Sequence, residues 1–475
     1  MGFSSPCISR GSSKLRITMS LGVIVLAAGE GTRMKSSRPK VLHAICGKPM
    51  IHFVLESIGT LHPEEIVVVI GHKADEVRQA IDGVEFAFQE EQLGTGHAVL
   101  TAEDLFAAFD GTIAVISGDT PLVKAKTFSD LVSIHESSGA AASILTARVK
   151  DPTGYGRIIR DSDGVVAAIV EEKDATVEQR KIDEVNSGIY CFDKKKLFEA
   201  LRQVDSNNEQ REYYLTDVIK ILTNRGEKIM ASIADEPDEI MGVNSRIQLA
   251  DADKVMRRTI NERFMLNGVT IIDPDMTFIS PDATIGRDTV IYPMTFIDGK
   301  TSIGEGCIIG PSSRLIDCAI GNGVIIENSV VRESTIEDGA SLGPFCHIRP
   351  GTLVRAGAKV GGFVEVKNSD IGAGSKVPHL SYIGDAQIGD YVNIGAGTIT
   401  CNYDGTNKYR TIIEDGAFIG SDTMLVAPVR IGEGAFTGAG SVISKDVPAD
   451  SLAIERTEQK VIDNWAKRRH KKKDI

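Results

Sequence analysis

Residues 26–34 read Leu-Ala-Ala-Gly-Glu-Gly-Thr-Arg-Met and follow an apolar, β-branched run with no spacer. Glycines placed there let a backbone approach phosphate oxygens, and successive amide N–H groups form an anion-binding nest. Arg33 adds a planar fork of donors, and Lys40, in Arg38-Pro39-Lys40, adds a second cation. The loop lacks both the third glycine of a dinucleotide fingerprint and the Gly-Lys-Ser/Thr of a P-loop. What it offers is the binding of phosphate groups with charge neutralisation. Asp119 ends the run 113–118, at the carboxyl edge of a strand, where α/β sites form. Taken singly it reads as a turn aspartate before Thr120-Pro121, and Glu171 reads as a surface carboxylate beside Glu172.

A second polar group lies far down the chain. Arg349 and Lys367 are cations suited to a sugar phosphate. His379 sits within residues 376–384, Lys-Val-Pro-His-Leu-Ser-Tyr-Ile-Gly, and Asn393, Asn402, Tyr403 and Tyr409 cluster around residues 400–411. The chain has nine histidines, and a lone histidine is more often structural than catalytic, so type and spacing alone leave His379 open.

These groups must be positioned by very different elements. Residues 23–27, 66–70, 113–116 and 144–147 are short apolar runs that suit buried parallel strands. Helical candidates at 50–59 and 73–81 fall between strand runs, and the alternation predicts an α/β sheet. The spacing then predicts one helix over 245–266, with Ile247, Ala250, Val255, Ile260 and Phe264 apolar and Asn267-Gly268 as its stop. Beyond Thr270 the period becomes six. Ile285, Ile291, Ile297, Ile303, Ile309 and Leu315 form one run, Ile336 to Val366 a second, and Ile413, Ile419, Leu425 and Ile431 a third. A period of six excludes a helix and marks the hexapeptide parallel β-helix, whose aliphatic residues fill a prism. Such repeats build a scaffold, and function must sit on departures from the period. The clearest departure is 400–411, Thr-Cys-Asn-Tyr-Asp-Gly-Thr-Asn-Lys-Tyr-Arg-Thr. The expected domains are therefore 20–244, a linker helix 245–267, and 268–475, after a disordered extension 1–19.

Composition sets bounds. A chain of 475 residues with 42% hydrophobic and 25% charged residues is an ordinary globular composition of two or three domains. The net charge of −12 disfavours a general nucleic-acid binder. No apolar run reaches the roughly 18 residues of a membrane span. Seven scattered cysteines without a Cys-x-x-Cys pair read as reduced thiols of a cytoplasmic protein. The basic run 467–473 reads as a solvated tail.

The loop 26–34, Pro39-Lys40-Val41-Leu42-His43, residues 89–98 (Gln-Glu-Glu-Gln-Leu-Gly-Thr-Gly-His-Ala), Ser117-Gly118-Asp119, Thr153-Gly154-Tyr155-Gly156-Arg157, Glu171, Asn186 and residues 213–217 (Tyr-Tyr-Leu-Thr-Asp) together resemble the nucleotidyltransferases that make sugar nucleotides. With a hexapeptide domain behind them, residues 20–456 resemble the bifunctional uridyltransferase and acetyltransferase family that makes UDP-N-acetylglucosamine. The resemblance implies a Rossmann-like, mostly parallel N-terminal domain and a left-handed parallel β-helix. It implies acetyl transfer from acetyl-CoA to glucosamine 1-phosphate, then uridylyl transfer from UTP with release of pyrophosphate, feeding peptidoglycan and lipopolysaccharide precursors. Arg33 and Lys40 would serve the leaving pyrophosphate. Leu26, Ala27, Ala28, Gly29, Gln89, Gly94, Thr95, Ser117 and Gly118 would meet the nucleotide, and Gly156, Glu171 and Asn186 the sugar. Asp119 and Asn244 would hold Mg²⁺. In the second site His379 would be the general base, which an imidazole suits at neutral pH. Arg349, Lys367, Tyr382 and Asn393 would hold the sugar phosphate, and Ala396, Asn402, Tyr403, Ser421, Ala439 and Arg456 acetyl-CoA. Members of this family assemble as trimers through the β-helix, so a homotrimer is the expected assembly. Three positions depart from the family pattern: Ser117, where an aromatic is frequent; Glu30, where a base is frequent and whose carboxylate is expected to face solvent; and Pro378, where a small residue is frequent.

Overall fold

The computed structural model describes residues 20–470. The expected extension 1–19, with Cys7, lies outside the described residues. So do residues 471–473 of the basic run.

The N-terminal region is a mixed, mostly parallel sheet. From one edge its strands run Ile229–Ile233, Ala142–Arg148, Glu184–Asp193, Thr112–Ser117, Leu21–Leu26, Glu65–Ile70 and Glu85–Phe88. Only Glu184–Asp193 runs antiparallel to its neighbours in this order; a ribbon of Arg157–Arg160 and Val166–Val170 pairs beside it. Period-2 alternation explains why both faces are apolar. In Leu21–Leu26, Val23 and Val25 enter one core with Ile51, Val54 and Phe128, while Ile24 enters the opposite core with Val99 and Phe106. The helix Met50–Gly59 covers the first face and Thr95–Leu100 the second. All four strand runs and both helices expected from the sequence form, within a few residues at each end.

One helix, Arg246–Leu266, follows, and the compact units divide within it, between Met256 and Arg257. Its buried face differs from the expected stripe. Ile247 and Ala250 are exposed, while Ala252 packs with Ile45, Met50 and Val243, and Asn261 is fully buried. The second half of the stripe holds: Ile260 and Phe264 are buried and Val255 is packed against the same cluster as Ala252. Asn261 is a core residue because its amide donates to the carbonyls of Pro274 and Thr277, at 2.8 and 3.0 Å. Gly268, at φ 92°, ends the helix as the stop signal required.

From Thr270 onward the chain forms three parallel sheets of 11, 10 and 9 strands, visited in rotation up to the last coil, where the third sheet is met only by the single bridge of Val447 to Ile431. Most strands contribute an inward aliphatic residue, and Ile291, Ile297, Ile309, Leu315, Ile348, Val354, Val360 and Val366 are fully buried; Thr400 and Thr437 take that position in two strands. The hexad runs break where a step shortens to five residues, as at Leu315 to Ile320 and Val331 to Ile336, with Asp317 and Glu333 taking left-handed φ at the corners. Residues 402–410 leave the prism between the strands Ile399–Cys401 and Thr411–Ile413, with Tyr403 bridged to Lys408. The start of the basic run, 467–470, lies in a short helix, Trp465–His470, whose residues 465–469 are exposed, with Arg469 over the Trp465 ring at 5.1 Å. Cys191, Cys307, Cys318 and Cys346 are buried, and burial pushes the Cys346 thiol up to about 11.

Candidate functional sites

The first site lies at the carboxyl edge of the N-terminal sheet. Leu26 and Ser117 are paired at the ends of adjacent parallel strands, and Gly118 N–H donates to the Leu26 carbonyl at 2.9 Å. The loop that leaves Leu26 bends into a single turn, Thr32–Met34. Gly31 has φ 64°, and a Cβ there would stand 2.7 Å from the Lys40 Cβ, so glycine lets Lys40 close onto the loop. A Cβ on Gly29 would meet only open cleft. Glu30 is exposed at the rim, as expected.

The cleft has a volume of about 630 Å³. Leu26, Ala27, Ala28, Gly29, Lys40, Gln89, Gly94, Thr95, Ser117, Glu171 and Asn186 all line it. Gly156 packs behind Asn186 and Glu171, and Gly118 lies beneath, against Val41 and Ile51. Lys40 Nζ lies against the Asp119 carboxylate and donates to Asn244 Oδ1 at 3.1 Å. Arg33 Nη2 donates to the same Asn244 oxygen at 2.9 Å. Four residues spread over more than 200 positions thus converge: two cations and two hard oxygen donors. Asp119 is buried, and the Asp119 carbonyl accepts from Val243 N–H at 2.9 Å, which brings Asn244 to it.

At the other end of the cleft, Thr216 Oγ1 donates to Glu171 Oε1 at 3.2 Å, and Asn186 Nδ2 donates to the Tyr190 hydroxyl at 2.6 Å. Burial pushes the Glu171 carboxyl above its ordinary range, against the Thr216 hydrogen bond. Glu171 is therefore not the surface carboxylate it resembles when taken singly; its neighbour Glu172, partly exposed, pairs with the buried Arg157 at 2.7 Å. Thr216, Tyr190, Gln92, Glu212 and Leu215 also line or shape the cleft and were not singled out in sequence. Thr216 and Leu215 stood in the 213–217 stretch and Gln92 in the 89–98 stretch; nothing in spacing marked Glu212 or Tyr190, which enters through a bulge between Asn186 and Tyr190.

The second site is built by register. One wall of the β-helix pairs Gly362 with His379, Lys376 with Asn393, Ile394 with Ile419, and Phe418 with Phe436. That register stacks His379, Ala396, Ser421 and Ala439 in successive coils. Hydrogen bonds follow the column: the carbonyls of His379, Ala396 and Ser421 accept from Gly397, Asp422 and Gly440 N–H, and the Ala439 carbonyl accepts from Arg456 Nη1 at 3.1 Å. His379 is exposed. Pro378 lies within the strand Lys376–His379, and its backbone carbonyl packs closely on Gly361, where a Cβ would fall 1.9 Å from the oxygen.

A second wall stacks Arg349, Lys367 and Gly384, each one residue past the inward Ile348, Val366 and Ile383. Asp385 organises it. Its carboxylate accepts from Lys367 Nζ at 3.0 Å, Asn368 Nδ2 at 2.7 Å and Asn402 Nδ2 at 2.5 Å. Burial opposes its charge, but these donors hold its carboxyl below the usual range, and the hydrogen bond to Asp385 in turn raises Lys367. Gly384 leaves room for the Tyr382 hydroxyl beside Asn402. Asp385 and Glu365, which accepts from Arg349 Nη1 at 2.8 Å, were missed in sequence. Both lie 16 to 18 residues from their partners, the length of one coil, and that spacing could have revealed them.

Residues 22–237 match the family model for nucleotidyl transferases, and residues 410–445 match the bacterial transferase hexapeptide model. Over 437 residues the chain is 53% identical to the bifunctional protein GlmU of Halalkalibacterium halodurans, covering 92% of this chain and 96% of the relative. It is 53% identical to that of Heliobacterium modesticaldum over 94% of this chain and 98% of the relative. The chain belongs to the bifunctional GlmU family. The expected fold classes, an α/β nucleotidyltransferase domain and a hexapeptide β-helix, are those the family carries.

Among the described residues no three His, Cys, Asp or Glu side chains form a metal cluster, and no helix is long and apolar enough to cross a membrane. Asp119 and Asn244 alone cannot complete a coordination shell. They do fit Mg²⁺, which takes one or two protein oxygens and fills the rest with phosphate and water.

Proposed function

We propose that the chain makes UDP-N-acetylglucosamine in two steps at these two sites. In the β-helix, the amine of glucosamine 1-phosphate attacks the thioester carbonyl of acetyl-CoA. His379 takes the amine proton, the C–S bond breaks, and that proton passes to the departing sulfur, so that CoA leaves as the free thiol. Arg349, Lys367, Tyr382 and Asn393 hold the sugar phosphate. Ala396, Asn402, Tyr403, Ser421, Ala439 and Arg456 hold the acetyl-CoA along the stacked column.

In the N-terminal cleft, a phosphate oxygen of N-acetylglucosamine 1-phosphate attacks the α-phosphorus of UTP and pyrophosphate leaves. Such transfer depends on positioning and charge neutralisation. Arg33 and Lys40 neutralise the departing phosphates, the loop 26–31 gives backbone donors, and Gly156, Glu171 and Asn186 orient the sugar. Asp119 and Asn244 would hold Mg²⁺, which neutralises phosphate charge when bound. The observation that carries the reading is the convergence of Arg33, Lys40, Asp119 and Asn244 beside an open glycine loop. The buried thiols Cys191, Cys307, Cys318 and Cys346 accord with work in the cytoplasm. The stacked, exposed Phe418 and Phe436 accord with a homotrimer formed through the β-helix, which light scattering would check.

The test incubates the full chain with acetyl-CoA and glucosamine 1-phosphate and follows free thiol. Thiol release, and pyrophosphate release from UTP and the acetylated sugar, are expected. Pyrophosphate without thiol would leave a monofunctional pyrophosphorylase with an oligomerising β-helix.

A further inference from the structure

The cleft contains one polar side chain whose orientation is fixed from behind. Gln89 is 3% exposed and lines the cleft. Its Nε2 lies 3.1 Å from the Gly94 carbonyl and 3.0 Å from His97 Nδ1. A carbonyl oxygen only accepts, so the atom facing it is the amide nitrogen. The second amide proton then goes to His97 Nδ1, which must be the bare, accepting nitrogen of the ring. Both donors of Gln89 are consumed, and its Oε1 takes no hydrogen bond from the described residues.

The frame behind it is rigid. Gly94 has φ 110°, and a Cβ there would lie 2.6 Å from the Tyr213 oxygen. Tyr213 N–H donates to Leu93 at 2.8 Å, Gly96 N–H to Tyr213 at 2.7 Å, and Leu215 N–H to Thr95 Oγ1 at 3.0 Å. This strap holds Gly94 and His97 in place at the first turn of the helix Thr95–Leu100.

We propose that His97 is a specificity-determining positioning residue: it locks the Gln89 amide so that only an acceptor faces the base. The inference rests on the nucleotide reading of this cleft. A bare acceptor suits the N3–H of uracil and opposes the N3 lone pair of cytosine; thymine shows the same N3–H, and this contact does not reject it. A site built around one hydrogen bond rejects an edge that cannot make it, because a buried polar atom is left unpaired.

The experiment compares kcat/KM for UTP and CTP, with Mg²⁺ and N-acetylglucosamine 1-phosphate, in the full-length enzyme and three variants. His97→Leu removes the acceptor, and the UTP-over-CTP ratio is expected to fall about tenfold or more. His97→Asp offers only acceptors at the same reach and is expected to restore the ratio, which a role in packing would not do. Gln89→Ala should lose the ratio as well. Because the ratio is read within one folded sample, loss of total enzyme does not move it. An unchanged ratio in His97→Leu, or an Asp variant no better than Leu, overturns the proposal. An unchanged ratio in Gln89→Ala overturns instead the placement of the base beside Gln89.

Discussion

The two candidate sites solve one problem, holding a phosphorylated sugar and a nucleotide-like partner, by opposite means. In the N-terminal region the site is assembled by loops that meet only in the fold: Lys40 with Asn244, Gly94 with Tyr213, Glu171 with Thr216. In the β-helix it is assembled by register, so that partners such as Lys367 and Asp385 are one coil apart in sequence. The first arrangement lets each loop change independently. The second ties every functional side chain to the packing of the coil beneath it. The α/β site is therefore expected to be sensitive to individual loop contacts, and the β-helix site to the scaffold itself.

The largest effects should separate the two sites. Asp119→Ala is expected to lower uridylyl transfer by about 10³-fold, by removing charge organisation at the phosphates, and to leave thiol release unchanged. His379→Ala is expected to do the reverse, with a loss of about 10²- to 10⁴-fold. Steady-state kinetics of both reactions on each variant check this, and a loss of both activities in folded protein would break the two-site assignment.

Acid should also distinguish the regions. The two buried histidines among the described residues, His43 and His135, both lie in the N-terminal region. Burial lowers His135 to about 4, against a pull upward from Asp193. Its folded value lies below its unfolded one, so the stability it contributes is present above about pH 6.5 and is lost as pH falls through 4. The loss approaches about 3 kcal/mol. Urea unfolding followed region by region at pH 7 and pH 4 should show the N-terminal unit weakening first. Replacing His135 by asparagine, which can still meet Ser143, should blunt that loss; equal weakening of both units would contradict it.

Gly372→Ala tests the dependence of the second site on its scaffold. A Cβ there would fall 2.0 Å from the Gly389 oxygen in the next coil, with no flexible atom to yield. A loss of about 1–3 kcal/mol is expected, read from the denaturation midpoint. Asp385→Ala should raise KM for both glucosamine 1-phosphate and acetyl-CoA by about tenfold, since one carboxylate holds Lys367 and Asn402 together. Uridylyl transfer should not change. The smallest effect belongs to Gly59→Ala, at the end of a helix in open space, with a gain of about 0.5–1 kcal/mol in the thermal midpoint analysis.

Much of both regions was legible in the residues. Strand lengths, the helix 50–59 and the six-residue period follow from local burial patterns, which act within one element and so leave a periodic trace. The loop 26–34 and the dense string of motifs named the nucleotide cleft. The helix 246–266 shows the limit: its length, its stop at Gly268 and the buried Ile260 and Phe264 were readable, but not the exposure of Ile247 and Ala250 or the burial of Asn261, because which side is covered depends on neighbours such as Met50 and Pro274.

The sequence by itself determined the kind of elements, the phosphate-binding chemistry of the glycine loop and the inward residues of the prism. Only the tertiary structure decided that Lys40 meets Asp119 and Asn244, that Asp385 gathers Lys367 and Asn402, and that Gln89 presents an oxygen rather than a nitrogen. Those facts depend on hydrogen-bond direction and distance between segments. A linear pattern carries periodicity, but not the approach of one loop to another or the donor that fixes an amide from behind.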